Sequence, residues 1–288
     1  MPSMARFRQV VKKCVVGLIS RRPSVRKRLE RFGDLFVRIG RLDLNNEMES
    51  NGEMLVQEAV IMNSPRESPL VVFDVGANRG LWTEHFLRRC KALKRQDAVV
   101  HAFEPCEATF KMLLETIEAG GLTEKVRPVQ CALSNSCGTA VLNVVGDGVG
   151  SNSLHRQGGM YFERTETVQL LTVDEYCKST GLKQITFLKI DAEAHDLRVM
   201  EGAAEMLKAK AVGVLQFEYS HRWLFARHYL RDAFDLLRPL GYRIGKVTPK
   251  GIEFYTAWTQ SLESFREGNY VGCLEGGVGR LPQIPATA

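Results

Sequence analysis

The sequence predicts an α/β fold: an open, mostly parallel sheet with helices on both faces. Three observations support this. Short runs rich in β-branched and apolar residues alternate with helical patterns from residue 70 to residue 240. The run at 70–73 stops at Asp74 and is followed by a turn carrying Gly76 and Gly80, then by a stretch that can be helical. Four acidic residues, Asp74, Glu104, Asp191 and Glu218, stand where four separate strands end. In a parallel sheet those ends gather in one crevice. A strand end buried on both sides does not carry a carboxylate without cause, because an unpaired buried charge is costly.

The 288 residues suit one large domain with extensions. Hydrophobic residues make up 44% and charged residues 25%, ordinary values for a globular chain. No apolar run reaches the roughly 20 residues that span a bilayer. The net charge of +6 is uneven, with +10 in residues 1–41 and −4 in the rest. The seven cysteines contain no Cys-x-x-Cys pair. They are expected to be reduced thiols of a cytoplasmic protein, with no metal site.

At the N-terminus, a basic stretch precedes a short apolar run at 14–19, too short for the apolar region of a signal peptide. Residues 24–41 read as a basic helix with Leu29, Phe32, Phe36 and Ile39 at helical spacing. Such a segment suits an anionic membrane surface or a polyanionic substrate, or serves as a docking helix with a solvated basic face. The expected organisation is a basic helical extension and linker over 1–60, the main domain over 61–275 and a flexible tail over 276–288.

Beyond the glycine turn, strands are expected at 99–103, 126–131, 139–145, 168–172, 185–190 and 211–217. Helices are expected at 107–119, 173–180, 196–208 and 229–240, three of them ended by glycine. Residues 242–247 and 252–258 form a closing hairpin turned at Pro249-Lys250-Gly251, which implies an antiparallel edge.

The spacing Gly76-x-x-x-Gly80 after Asp74 is not the Gly-x-Gly-x-x-Gly of dinucleotide sites, and it favours S-adenosylmethionine, which has no pyrophosphate to cradle. Glu104, 28 residues after Gly76, can accept both hydroxyls of a ribose or can open the next helix as an N-terminal acid. Small residues at 131–134, Ala132 among them, can line an adenine slot. The loop 146–153, rich in Gly, Ser and Asn, can close over a ligand or simply turn a hairpin. Asp191, Glu193 and His195 alternate after the strand at 185–190. A hydroxyl nucleophile loses its proton as it attacks, so His195 or a neighbouring acid can serve as base, or His195 and Asp196 can cap a helix. Glu218 is followed by His221 and Trp223 in a second polar group.

These motifs carry a family resemblance. Phe73-Asp74-Val75-Gly76-Ala77-Asn78-Arg79-Gly80, Phe103-Glu104-Pro105 and Leu188-Lys189-Ile190-Asp191 with Glu193 resemble the FkbM family of S-adenosylmethionine-dependent methyltransferases. Glu201-Gly202-Ala203, Gln216-Phe217-Glu218-Tyr219, Gly241-Tyr242 and Leu262-Glu263-Ser264-Phe265 with Asn269-Tyr270 continue the match through about residue 272. Ala194 departs from it, standing where the family has glycine after the glutamate. The resemblance implies a Rossmann-like class I methyltransferase fold, a seven-stranded mostly parallel sheet with one antiparallel strand near the edge. It implies O-methylation of a sugar, glycolipid or polyketide-type hydroxyl, with S-adenosylmethionine as cofactor and no metal. Asp74, Gly76, Asn78 and Gly80 would shape the methionine and ribose end of the site. Glu104 would hold the ribose, Ala132 would lie near adenine and Asp191 would face the methionine amine or the acceptor. Asp191, Glu193, His195 and Glu218 are the catalytic candidates. The expected partner is a small-molecule or glycan acceptor, with no specific nucleic acid. Three alternatives share the fold: an N- or nucleic-acid methyltransferase, a dinucleotide oxidoreductase and a non-catalytic binding module.

Overall fold

A computed structural model describes residues 4–43, 47–276 and 281–284. The chain divides into two compact units, Met1–Asn45 and Asn46–Ala288. The first holds the helices Met4–Ile19 and Pro23–Arg41. The second opens with the helices Met48–Asn51 and Glu53–Asn63. The end of the expected extension and linker is thus partly helical, with residues 44–46 outside the described residues. Glu53, Val56 and Val60 are buried, so the extension boundary expected at residue 60 falls inside a helix of the main body.

The strands are β1 (Leu70–Val75), β2 (Ala98–Phe103), β3 (Val126–Val129), β4 (Ala132–Leu133), β5 (Gly138–Val144), β6 (Arg164–Leu171), β7 (Ile185–Ile190), β8 (Val212–Tyr219), β9 (Tyr242–Thr248), β10 (Gly251–Tyr255) and β11 (Gly268–Leu274). Among the described residues they form an eight-stranded sheet, order β10-β9-β11-β8-β7-β1-β2-β3, and a three-stranded sheet, order β4-β6-β5. From β3 to β8 the large sheet is parallel. Strand β11 runs antiparallel between β8 and β9, and β10 pairs antiparallel with β9. The strand order reverses between β1 and β7, so the crevice at their carboxyl ends is where a ligand is expected.

The sheet has eight strands instead of seven because the hairpin arm β10 buries Ile252 and Phe254 and extends the edge. That edge is covered in turn. The Ile252 N–H donates to Pro282 O (2.7 Å) and the Ile284 N–H to Ile252 O (3.0 Å). Residues 281–284 of the expected tail therefore lie along β10, while 277–280 and 285–288 lie outside the described residues. Strand β11 had no clear signature in the sequence because Gly268 and Gly272 interrupt its pattern. A Cβ at Gly272 would stand 3.0 Å from Leu215 Cδ2, so the glycine is what lets β11 approach its neighbours. The helix expected over 196–208 is two, Asp196–Glu201 and Ala204–Lys208. It breaks at Gly202, where a Cβ would meet the Ser134 carbonyl oxygen at 1.9 Å.

Both faces of the sheet are packed, and the strands alternate between them. Phe73, Leu188 and Leu215 join one apolar cluster, and Val72, Phe187 and Val214 join the other. On the second face lies a buried ion pair. Asp74 and Lys189 are register partners on β1 and β7, and Lys189 Nζ is 3.0 Å from Asp74 Oδ1 and 3.5 Å from Asp191 Oδ2. The Thr83 hydroxyl donates to Asp74 Oδ2 (2.7 Å), and the ammonium lies over the Trp82 ring. Trp82 and Thr83 belong to the helix Leu81–Ala92, so one cation joins two strands and a helix. Among the described residues no helix is long and apolar enough to cross a membrane.

Replacing Lys189 by Met would leave the Asp74 carboxylate buried without its cation. The expected loss of unfolding free energy is about 3–5 kcal/mol, measured by urea titration. Adding Asp74→Leu should recover much of it. An unchanged urea midpoint in the single variant would mean that the pair contributes nothing to stability.

Candidate functional site

The glycine turn after β1 is shaped first by backbone packing. The Gly76 and Ala77 N–H groups both donate to Phe103 O (3.0 and 2.9 Å), and the Asp191 N–H donates to Val75 O (3.0 Å). Gly76 has φ +74°, and a Cβ there would lie 1.9 Å from the Asp191 carbonyl oxygen. The ends of β1, β2 and β7 therefore meet closely, and their carboxyl edges open into one cleft. Gly76, Asn78, Glu104, Ala132, Asp191, Glu193 and His195 all line it. Asp74, Gly80 and Glu218 do not. Asp74 is committed to Lys189 and Thr83. Gly80, at φ +81°, begins the next helix, and a Cβ there would strike Leu113.

Glu104 is buried, and both its oxygens accept backbone N–H bonds, from Asn78 (3.0 Å) and Cys106 (2.9 Å). Burial raises its pKa to about 7, against the lowering effect of those two donors. Asn78 takes a left-handed φ of +48° to bring its N–H to Glu104, and its own Oδ1 is buried without a hydrogen-bond partner. Such an acceptor beside a carboxylate suits a ligand bearing hydroxyl or ammonium donors. Ala132 is not on the third strand of the large sheet, as its place after 126–131 suggested. The chain leaves β3 at Val129, and Ala132 starts β4, which pairs with β6. It still walls the cleft, with Phe103, Cys131 and Leu142 nearby.

The cleft also carries Asp191 and Glu193, which interact electrostatically with Asp196 and Glu218. Glu193 lies 3.0 Å from Arg222 Nη1, and its pKa is raised to about 8, by burial first and Asp191 second. Glu218 is also raised, by burial and then by Asp191 and Glu193. Asp196, fully buried, is raised to about 7 for the same first two reasons, burial and Asp191. Lys189 answers this charge. Burial opposes its protonation, but Asp74 and Asp191 outweigh burial and raise its pKa. The loop between β7 and the next helix is strained, with φ +51° at Glu193 and +80° at Ala194. Ala194 thus keeps the conformation that glycine would take at no steric cost.

His195 has no free ring nitrogen. Nε2 is 2.9 Å from Ser134 Oγ, and Nδ1 is 3.0 Å from His155 Nε2. Burial holds both imidazoles neutral, with pKa values lowered to about 3 for His195 and about 4 for His155. His195 therefore ties its helix to β4 and to the segment after the 146–153 loop. That segment is fastened a second time, by the Ser153 hydroxyl donating to Glu193 O (2.7 Å). Of the base candidates, Glu193 and Glu218 have raised pKa values, while His195 is occupied and neutral. His155, Lys189 and Arg222 were not singled out from the sequence. The signal for Lys189 was a charge inside an otherwise apolar strand; for His155 and Arg222 there was none.

The titrations give a pH dependence with a definite sign. The carboxyls of Glu104, Asp196 and Glu193 have raised folded-state pKa values, so their contribution to stability is lost as pH rises from the ordinary carboxyl range toward about 7 to 8. His155 and His195 are lowered, so theirs is lost as pH falls below 6.5. The two trends oppose below pH 6.5, and only the carboxyls act above it. The urea midpoint should therefore fall between about pH 6.5 and pH 8, and Glu193→Gln should flatten that fall. A midpoint that rises over this range would contradict the assignment.

Comparison with known proteins agrees with the motifs. The sequence profile of the methyltransferase FkbM domain matches residues 74–244. Methyltransferase sdnD of Sordaria araneosa is 27% identical over 172 residues, covering 50% of this chain and 64% of that protein. The hexuronic acid methyltransferase AglP of Haloferax volcanii is 27% identical over 139 residues, covering 48% of this chain and 52% of that protein. The chain thus spans between half and two thirds of the length of these relatives. A crystal structure of a methyltransferase FkbM from Methylobacillus flagellatus KT superposes with TM-score 0.46 at 14% identity, over 71% of this chain and 43% of that one. The profile match covers more than half of the sequence, and on it the chain belongs to the FkbM family of S-adenosylmethionine-dependent methyltransferases.

Proposed function

We propose that the protein transfers the methyl group of S-adenosylmethionine to a hydroxyl of a sugar, glycolipid or polyketide-type acceptor. The observation that carries this reading is Glu104, a buried carboxylate at the end of β2 whose two oxygens are oriented by backbone N–H bonds and face the cleft. It would accept the two ribose hydroxyls. The partnerless Asn78 Oδ1 would take a donor from the same ligand. Ala132 and Leu142 would leave room for adenine, and Asp191, on the far side of Gly76, would receive the methionine ammonium. The cofactor supplies a methyl group on a positively charged sulfur, ready for in-line displacement.

The chain's own part is positioning and proton handling. Glu193, on the cleft wall, has its pKa raised to about 8, where a carboxylate is basic enough to take a hydroxyl proton, and the pKa of Glu218 is raised as well, by burial first. Arg222, within 3.0 Å of Glu193, would hold that carboxylate in place and could orient an acidic acceptor. A carbohydrate acceptor is supported by the relative whose name specifies hexuronic acid.

Two measurements test this. Glu104→Ala should raise the dissociation constant for S-adenosylmethionine roughly 10–100-fold by calorimetry, the loss of two hydrogen bonds worth about 1 kcal/mol each, with the fold retained. Unchanged affinity would remove the ribose assignment. Incubation with labelled S-adenosylmethionine and a panel of glycans, glycolipids and polyketides, read by mass, should label a hydroxyl of one acceptor class. Label on nucleic acid alone would overturn the proposal.

A further inference from the structure

The helix Pro23–Arg41 has no buried residue. Leu29, Phe32, Phe36 and Ile39 recur at three- and four-residue steps and so share one face. All four are exposed, Phe32 at 60% and Phe36 at 69%. Val15, Val16 and Leu18 of the helix Met4–Ile19 are exposed as well. Arg26, Arg28 and Arg31 stand on the same helix, Arg28 beside this apolar stripe, and residues 1–41 as a whole carry +10. Exposed phenylalanines on a strongly basic helix call for a partner that is apolar and anionic together.

Three kinds of partner can be weighed on that requirement. A nucleic acid would neutralise the arginines and leave the phenylalanines in water. A second copy of the chain would cover the phenylalanines and bring +10 against +10. An anionic bilayer surface meets both needs, because the rings enter the acyl boundary while the basic side chains reach the headgroups. Neither helix is long and apolar enough to span the bilayer, so this contact is a surface one.

We infer that residues 4–41 are a docking element for anionic membrane surfaces, with Leu29, Phe32, Phe36 and Ile39 as the inserted face. The inference does not depend on which acceptor the main body uses. It does restrict that body to work at a lipid surface whenever the element is engaged.

The test is co-sedimentation of the full chain with large unilamellar vesicles, either phosphatidylcholine alone or an equimolar mixture with phosphatidylglycerol. The chain should sediment with the mixed vesicles at low ionic strength and not with the neutral ones. About 0.5 M salt should weaken the binding, since screening acts within a few ångströms there. Phe32→Ser with Phe36→Ser, which leaves the charge untouched, should lower the partition coefficient at least about tenfold. Arg26→Gln, Arg28→Gln and Arg31→Gln should each lower it roughly fivefold. The urea midpoint of the main body serves as the folding control, and the salt series on the unaltered chain needs no variant. Equal sedimentation with neutral and mixed vesicles would overturn the inference. So would binding that is indifferent to the phenylalanines and competed away by an RNA homopolymer, or a dimer in sedimentation velocity that the phenylalanine substitutions dissociate.

Discussion

A single buried ammonium organises the centre of this molecule. Lys189 sits on a strand covered on both faces, where a lone charge would be costly, and it is held there by Asp74 on the neighbouring strand and by Asp191 two residues further along its own. The three are on one face of the sheet because side chains on a strand repeat every second residue and because β1 and β7 pair with Asp74 opposite Lys189. Trp82 and Thr83 bring the helix after the glycine turn into the same cluster. The cluster is tied to the site through Asp191, which lines the cleft and donates its N–H to Val75 O. The lysine also offsets negative charge that would otherwise accumulate where the strands end.

That charge is not fully offset. Asp191 and Glu193 on the cleft wall interact with Asp196 and Glu218, which do not line it, and burial with mutual repulsion raises the pKa values of Glu193, Asp196 and Glu218. Arg222 lies against Glu193 from one side, and the His155–His195 pair fixes the wall on another. Two neutral imidazoles joined by one hydrogen bond are suited to holding a loop in place, and less suited to moving a proton to a substrate. The same loop is strained at Glu193 and Ala194 and fastened by Ser153. Glu104 receives two backbone donors and faces the same cleft. The cleft therefore carries a carboxylate oriented by two backbone donors and, separately, a Glu193 whose pKa is raised to about 8.

Much of the fold was legible locally. The strands β1, β2, β7 and β8 announce themselves as short apolar runs ending in an acid, and the turn after β1 by its two glycines. Strand β11 was not legible, because its glycines serve a close approach to Leu215 on a strand more than 50 residues earlier. The division of 196–208 into two helices was hidden for a similar reason, since Gly202 makes room for the Ser134 carbonyl. In both cases the glycine answers to a residue distant in the chain, which no local pattern displays. Ala194 is the converse: its residue type argues against a positive φ, and the packing around it imposes one.

By itself the sequence determined the sheet class and the set of acids near the parallel strands' carboxyl ends, because strand period, turn chemistry and the cost of burying a charge act over a few residues. The tertiary structure decided which of those acids can meet a ligand. Asp74 turns to Lys189 and leaves the cleft wall to Glu104, Asp191 and Glu193; Ala132 reaches the wall from a second sheet; and His195 gives up both nitrogens to Ser134 and His155. These outcomes depend on which side chain stands opposite which across strands and loops far apart in sequence. That information exists only once the chain has folded.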